Sequence, residues 1–327
     1  AMHVIGIDLG GTTCGGAVVT MEGDVLARVS SAVVDRAPDA IVTLIVSVVR
    51  DALDAASLRR ADVAAVGIGC PGRIVDGCVV GASNFPLMRD FALASRVKSG
   101  LGGLPTTLLN DADAAMEAEF WIGAASSADV TSCVMITLGT GVGMGAVCGG
   151  RLLQGSTGLI EGGHMVVVPD GRPCGCGQRG CLETYASATA LKTQGNAALK
   201  DAAARGFSTA LAPLAAARGG ELDAKDVVDA ARGGDALALE LVDDVAKHLA
   251  YGCLTFARVL DPSMIIFAGG LALAGEFLFE KVRAHIARLT WTAAGLPRQI
   301  KLGAAQVKND AGVIGAAAAA RALTLTL

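Results

Sequence analysis

Two stretches of this chain share one grammar. Val4-Ile5-Gly6-Ile7-Asp8 reads as a buried strand, Leu9 to Thr13 as a glycine-rich turn, and Gly16 to Val19 as a returning strand. About 130 residues later the pattern recurs: Cys133 to Thr137, then Gly139 to Gly143, then Gly145 to Cys148. A strand–turn–strand unit is not a Walker loop, which ends in Gly-Lys-Ser/Thr and opens a helix. It is not a dinucleotide fingerprint either, because that turn also opens a helix. Two such units predict two related α/β lobes, each giving one glycine turn to a shared cleft. A length of 327 residues is right for two domains.

The segments between these units set the rest of the expected architecture. Val25 to Val34 reads as a third, antiparallel strand, and apolar residues at helical spacing predict a helix over 39–55. Val63 to Gly69 is a strand closed by Pro71-Gly72, and Thr107 to Leu109 a short strand running into a helix from about Ala112 to Ile122. Beyond 183 the pattern is mostly helical. A helix is expected over 186–206, then a polar Ala-rich stretch and a short helix over 226–232. Asp235 is suited to cap a long helix that Asp261-Pro262 stops. Ser263 to Ala268 is a strand, a helix follows over 275–289, and Asn309-Asp310 can cap a final Ala-rich helix.

Composition narrows the partners. Charged residues are 18% of the chain and the net charge is −4, with no basic tract for nucleic acid or a membrane surface. Aromatics at 4% supply no base-stacking platform. No run of about 18 apolar residues predicts a membrane span. Ala1-Met2-His3 has no basic region leading into an apolar stretch, so no signal peptide is expected; Ala1 reads as a scar of tag removal, and Leu325-Thr326-Leu327 as no address. Nine cysteines, three of them clustered, fit a cytoplasmic protein with one metal site better than a disulfide scaffold.

Five motifs could carry chemistry. In Asp8-Leu9-Gly10-Gly11-Thr12-Thr13, glycines would let backbone N–H groups reach phosphate, with the Asp8 carboxylate beside a Mg²⁺ ion and the threonine hydroxyls donating. The plain alternative is a tight hairpin. Thr137-Leu138-Gly139-Thr140-Gly141-Val142-Gly143 repeats the case, against a bulge or flexible turn. The pair strengthens the phosphate reading, because a triphosphate needs donors from two sides. Asn110-Asp111 lies at a strand-to-helix junction, where an acid can take a proton from a hydroxyl; helix capping explains the same residues. His164 with Cys174, Cys176 and Cys181 can close a tetrahedral zinc site. A disulfide would strain the Cys-x-Cys spacing and leave one thiol over, and an iron–sulfur cluster would want a fourth Cys. Ile265 to Gly270 is a strand ending in Gly269-Gly270, fit for a flat ring such as adenine or for an ordinary turn.

Together these residues resemble the ROK family (repressor, open reading frame, kinase) of the actin-like ATPase superfamily, over nearly the whole chain. The most specific part is Glu161-x-x-His164 joined to Cys174-x-Cys176-x₄-Cys181-x-Glu183, the family's zinc signature. Within the family, Val167 to Gly171 and the Cys-rich stretch look most like bacterial glucokinases. The resemblance implies a two-lobed actin-like (ribonuclease H-like) α/β fold, each lobe a mixed sheet flanked by helices with the ligand cleft between. It puts residues 1–118 with helix 309–327 in one lobe, and 119–308 with a zinc-binding loop 161–183 in the other. It implies ATP-dependent phosphorylation of a hexose, most often glucose, at the 6-hydroxyl, with Asp111 as general base. Gly72, Asn84, Asn110, Glu161, His164 and Glu183 become sugar contacts. Asp8, Gly10, Gly11, Thr12 and Thr13 match one phosphate loop. Thr137, Gly139, Thr140, Gly141 and Gly143 match the other, and Gly269-Gly270 the adenosine side. ATP, Mg²⁺ and structural Zn²⁺ are the implied cofactors, and a homodimer or homotetramer the implied assembly. Thr13 stands where many members carry Lys, Asp113 where Asn is usual, and Leu87-Met88 where Gly-Trp follows the proline. The alternatives are another hexose kinase, acting on N-acetylglucosamine, N-acetylmannosamine, mannose, fructose or allose, or a sugar-responsive regulator. A regulator would need a DNA-binding domain ahead of Asp8. A non-catalytic ATPase switch would have no use for the cysteine cluster.

Overall fold

The structure, a computed structural model, describes residues 2–289, 300–307 and 309–326. The ends named above, Ala1 and Leu327, and the expected boundary at 308 lie outside the described residues. Strands β1 (His3–Leu9), β2 (Thr13–Thr20) and β3 (Val25–Ala32) lead into helix α1 (Pro38–Ala55). Then come β4 (Val63–Cys70), β5 (Arg73–Val75), β6 (Cys78–Gly81), α2 (Leu93–Gly100), β7 (Thr106–Asn110) and α3 (Asp111–Trp121). Strands β8 (Cys133–Leu138), β9 (Val142–Cys148) and β10 (Arg151–Leu152) follow. A helical run holds α4 (Glu183–Ala186), α5 (Ala188–Ala204), α6 (Leu211–Ala217), α7 (Ala224–Arg232) and α8 (Ala236–Leu260). The chain closes with β11 (Met264–Ala268), α9 (Glu276–Leu289), β12 (Lys301–Ala304) and α10 (Ala311–Thr326).

The strands form two five-stranded mixed sheets, ordered β3-β2-β1-β4-β7 and β10-β9-β8-β11-β12. In the first, β1 is antiparallel to β2 and parallel to β4, and β4 is parallel to β7. In the second, β11 is parallel to both β8 and β12. The chain divides into two compact units. One comprises residues 1–130, 145–160 and 305–327, the other residues 131–144 and 161–304.

In the first unit, β4 is buried along almost its whole length, as a central strand covered on both faces must be. Helix α1 covers one face with Ile41, Ile45, Val48, Val49 and Ala52, all packed into the larger core with Ile5, Ile7, Val18 and Val66. Helix α10 covers the other with Ala317 and Ala320, against Val4, Ala17, Val19 and Ala65. The alanines of α10 let its backbone lie directly on the sheet. An added Cβ at Gly67 would overlap the Ala316 carbonyl, so β4 tolerates no side chain there.

In the second unit, Asp235 caps α8 by accepting from Ala238 N–H at 2.9 Å. The helix ends at Asp261 in the left-handed region (φ 43°), followed by Pro262, as the sequence predicts. Phe267 of β11 stacks on Phe279 of α9 at 5.1 Å and ties sheet to helix.

Some local expectations are corrected. The helix expected over 186–206 is α5 (Ala188–Ala204), whose start is set by Ser187: its extended backbone (ψ 164°) and its hydroxyl, which accepts from Ala190 N–H, cap the helix, and α4 before it is a separate turn. The Ala-rich stretch after it contains α6, anchored at Leu211 and Ala215. The hairpin of β5 and β6 has no counterpart among the expected elements, although its turn, Asp76-Gly77, has φ 47° and 75° and is a standard two-residue hairpin signal. No helix of the described residues is long and apolar enough to cross a membrane.

Candidate functional site

In the first unit, the C-terminal ends of β1, β4 and β7 bring the expected residues together. Asp8 is near the end of β1, and Gly10 N–H donates to Thr13 O at 2.8 Å to close the glycine turn. The Thr12 and Thr13 side chains stay exposed. Arg36 donates to Gly11 O at 2.8 Å, and Asn84 stands against Gly11 on its open side. Gly72 follows β4, and its carbonyl accepts from the Asn110 side-chain amide at 2.8 Å.

Asn110 is the N-cap of α3. Its Oδ1 accepts from Ala112 N–H at 2.8 Å while its Nδ2 holds Gly72. The capping reading of Asn110 therefore holds, and Asp111, the first residue of α3, also accepts from Ala112 N–H through Oδ1 at 2.9 Å, which holds its carboxyl. Asp111 is open to solvent at its surface and hemmed by protein beneath. Burial raises its pKa, while hydrogen bonds from Ala112 N–H, its own N–H and Asn110 pull the other way. Asp8 is raised by burial and further by the charge of Asp111. Two carboxylates that feel each other, one at the N-terminal end of α10 where an added Cβ on Gly312 would lie 2.5 Å from Asp8 Oδ2, form an acceptor set suited to a hard cation. Beneath them Cys14 and Cys70 are fully buried, and burial pushes both thiols up to about 12, so neither is a nucleophile at neutral pH.

In the second unit, the glycine turn between β8 and β9 is fixed from within. Gly139 N–H donates to Gly141 O at 3.0 Å, and Gly143 N–H to Thr137 Oγ1 at 3.1 Å. Thr140 lies on this turn, exposed. Glu183 Oε2 accepts from Val142 N–H at 3.0 Å, and an added Cβ at Gly141 would overlap that oxygen. Its other oxygen faces Cys174 Sγ at 3.9 Å. Glu183 thus ties the second glycine turn to the cysteine cluster. Gly269-Gly270 end β11, whose Ala268 pairs with Thr137, and an added Cβ on Gly269 would lie 2.6 Å from Leu138 O. Around Gly270 the space is open. Glu161 is exposed at the start of the short turn that carries His164.

The ligand atoms of His164, Cys174, Cys176 and Cys181 all lie within 4.8 Å of one another. Cys174 Sγ is 3.5 Å from His164 Nδ1, and Cys176 Sγ 3.7 Å from Cys181 Sγ. Zinc bonds of about 2.3 Å to sulfur and about 2.0 Å to nitrogen, arranged tetrahedrally, give edges of about 3.5–3.8 Å. The residues fit that ion.

Several residues that support the site escape a sequence reading. Arg172 lies over the Tyr185 ring at 4.3 Å, its N–H donates to the Tyr185 hydroxyl at 2.8 Å, and its guanidinium donates to Thr184 O and Gln194 Oε1. Tyr185 in turn stacks on His248 of α8 at 4.4 Å, so the cysteine loop has a brace besides the ligands. In the first unit, Glu119 is buried and accepts from three backbone N–H groups, those of Ala124, Gln306 and Val307, which ties α3 to the segment entering α10. The repeated glycine pattern gave no hint of these, because most of their partners are set by the tertiary fold.

Known proteins resemble this chain in sequence and fold. The profile of the ROK family matches residues 4–322. A glucokinase of Halalkalibacterium halodurans is 36% identical over 326 residues, covering 95% of this chain and 92% of the relative. An N-acetylmannosamine kinase of Salmonella heidelberg is 31% identical, covering 99% of this chain and all of the relative. Among solved structures, a ROK family glucokinase from Streptomyces griseus in complex with glucose and AMPPNP has a TM-score of 0.75 and 33% identity, over 98% of this chain and 99% of that one. The two mixed sheets flanked by helices are those expected of the actin-like fold. Matched by its profile from the first strand into the last helix, and by full-length relatives above the identity at which family is secure, the chain belongs to the ROK family.

Proposed function

We propose that this chain is a sugar kinase that transfers the terminal phosphoryl group of ATP to the 6-hydroxyl of a hexose, with glucose the preferred acceptor. The observation that carries the reading is the pair of carboxylates in the first unit: Asp8 beside the glycine turn and Asp111 fixed at the head of α3, each with a raised pKa. The relatives named glucokinase support glucose as the acceptor.

In this reading Asp111 accepts the proton of the sugar hydroxyl. The freed oxygen attacks the terminal phosphorus, the bond to the bridging oxygen breaks, and ADP leaves. General-base catalysis of this kind contributes about 10²–10⁴-fold. A raised pKa suits the base, because it retains more affinity for the proton it must take. Asn110, Gly72, Asn84, Glu161, His164 and Glu183 orient the sugar. The backbone N–H groups of the turns at Gly10-Gly11 and Gly139–Gly143, with Thr12, Thr13, Thr137 and Thr140, receive the phosphates, and Gly269-Gly270 receive adenine. Asp8 would hold Mg²⁺, which supplies charge neutralisation to the phosphates when bound. Zinc on His164, Cys174, Cys176 and Cys181 would fix the loop that carries Glu183 and His164. The reaction belongs to the cytoplasm, where its product, a hexose 6-phosphate, enters sugar breakdown.

The N-acetylmannosamine kinase relative gives the second reading, an N-acetylhexosamine acceptor. ADP release measured with glucose, mannose, fructose, N-acetylglucosamine and N-acetylmannosamine tests both. Highest kcat/KM with glucose is expected. Preference for an acetylated sugar would replace the acceptor, and ATP hydrolysis indifferent to every sugar would remove the kinase reading.

A further inference from the structure

The first unit holds a cavity of about 470 Å³ that reaches from Asp8 and Thr13 to Arg28 and Ser30 on β3, and to Asn309 and Asp310 at the head of α10. Its floor follows from strand register. Asp8 pairs with Gly15, and Gly15 with Ser30, so these three point to one face of the sheet. Gly15 has no side chain, so the floor between Asp8 and Ser30, about 10 Å across two strand spacings, carries no bulk of its own, with Val313 walling it from one side. One row along, Gly6 pairs with Ala17 and Ala17 with Arg28, putting Arg28 on the same face.

Arg28 is the only cation among the described residues lining this cavity. Its Nε donates to Asp310 Oδ1 at 3.3 Å and its Nη2 to Asp310 Oδ2 at 2.8 Å. The guanidinium has five N–H donors, so three remain for another anion. The two side chains are 56% and 44% exposed, so solvent screens the pair and a polyanion can compete for the arginine. The glycine turn itself, Leu9 to Thr13, contains no cation, and Arg36, which reaches it, donates to the Gly11 carbonyl at 2.8 Å.

We propose that Arg28 is a cationic phosphate contact of the first unit, binding the phosphate chain of the nucleotide beside the glycine turn and held in reach of it by Asp310. The proposal rests on the kinase reading for its ligand, and it adds a phosphate contact on β3, outside the glycine turn itself. Asp310 keeps the long side chain directed over that floor, so little rotamer freedom is lost when phosphate arrives. A planar guanidinium can meet two phosphate oxygens at once, which an ammonium cannot.

The test uses the full chain with Arg28→Met, Arg28→Lys and Asp310→Asn. Loss of a charge-assisted hydrogen bond corresponds to about tenfold or more in binding. Arg28→Met is expected to raise KM for MgATP by about that factor, with hexose KM and the affinity for adenosine unchanged. Arg28→Lys should recover only part of the loss. Asp310→Asn breaks the same ion pair but keeps the cation, so MgATP KM should rise by less than in Arg28→Met, because only the positioning of the guanidinium is lost. A MgATP KM within twofold of the unaltered chain in Arg28→Met overturns the proposal. So does a rise in Asp310→Asn as large as in Arg28→Met, since that marks the pair as a structural brace. Direct titration with MgATP separates this from the acceptor question. A chain that binds MgATP but phosphorylates no hexose loses the kinase reading, while its Arg28→Met titration still decides this one.

Discussion

Asp111 and Asp8 pay in stability for their place at the strand ends. Burial raises both pKa values, so each contributes stability that is full below the unfolded carboxylate value near 3.9 and is lost as pH rises through the folded one. For activity the sign is simple. The base must be ionised, so kcat/KM should fall on the acid side with an apparent pKa above the ordinary aspartate value. A pH profile with no acid limb down to that ordinary value would contradict it. Glu117 on α3 offers a test free of catalysis. Burial pushes its carboxyl up from 4.5 to about 7. Its stabilising contribution is therefore complete below 4.5 and lost as pH rises through about 7. Glu117→Gln should raise Tm by a few degrees at pH 8 and leave it unchanged at pH 4. Equal melting at both pH values would show that the carboxyl is not strained. At this scale the sequence was informative for groups whose role is local. Asn110 and Asp111 stood out as a cap or a base, and Asn110 does cap. Glu119 and Arg28 did not stand out, because their partners at 306–307 and 310 lie 187 to 282 residues further along the chain.

Elements with strong local signals were legible: the three opening strands, the long α8 between its cap and Asp261-Pro262, and β11 before Gly269-Gly270. The misses have physical causes. Alanine suits helix and loop alike when little polar patterning surrounds it, so α6 was hidden. Ser187 caps α5, and only its backbone conformation shows that the helix starts after it and not at 186. The closest packing in the first unit could not be read from composition at all. It depends on glycines of β1 and β4 facing the alanines of α10. Gly67→Ala forces a methyl into the Ala316 carbonyl and should cost about 1–3 kcal/mol or more. Gly81→Ala, where nothing lies within 4 Å, is the control and should be nearly neutral. Urea denaturation midpoints compare them, and equal midpoints would mean that α10 can lift away from β4 without cost.

For the whole molecule, the cysteine cluster is the part most separable from the fold. The cluster lies between residues 164 and 181, outside the strands of both sheets, so removing zinc should leave far-ultraviolet circular dichroism nearly intact. It should raise hexose KM through Glu183 and His164, with MgATP KM little changed. One zinc per chain by elemental analysis, and its loss in Cys174→Ser, would accompany this. Normal hexose KM in metal-free, folded protein would detach the cluster from sugar binding. The central claim is that the carboxylate at the head of α3 takes the hydroxyl proton. Hexose-dependent ADP formation by Asp111→Asn, measured beside glucose binding by the same variant, tests it most directly. The account expects kcat lower by about 10²–10⁴-fold, with glucose still bound and Tm not reduced. Turnover within a few fold of the unaltered chain would contradict it.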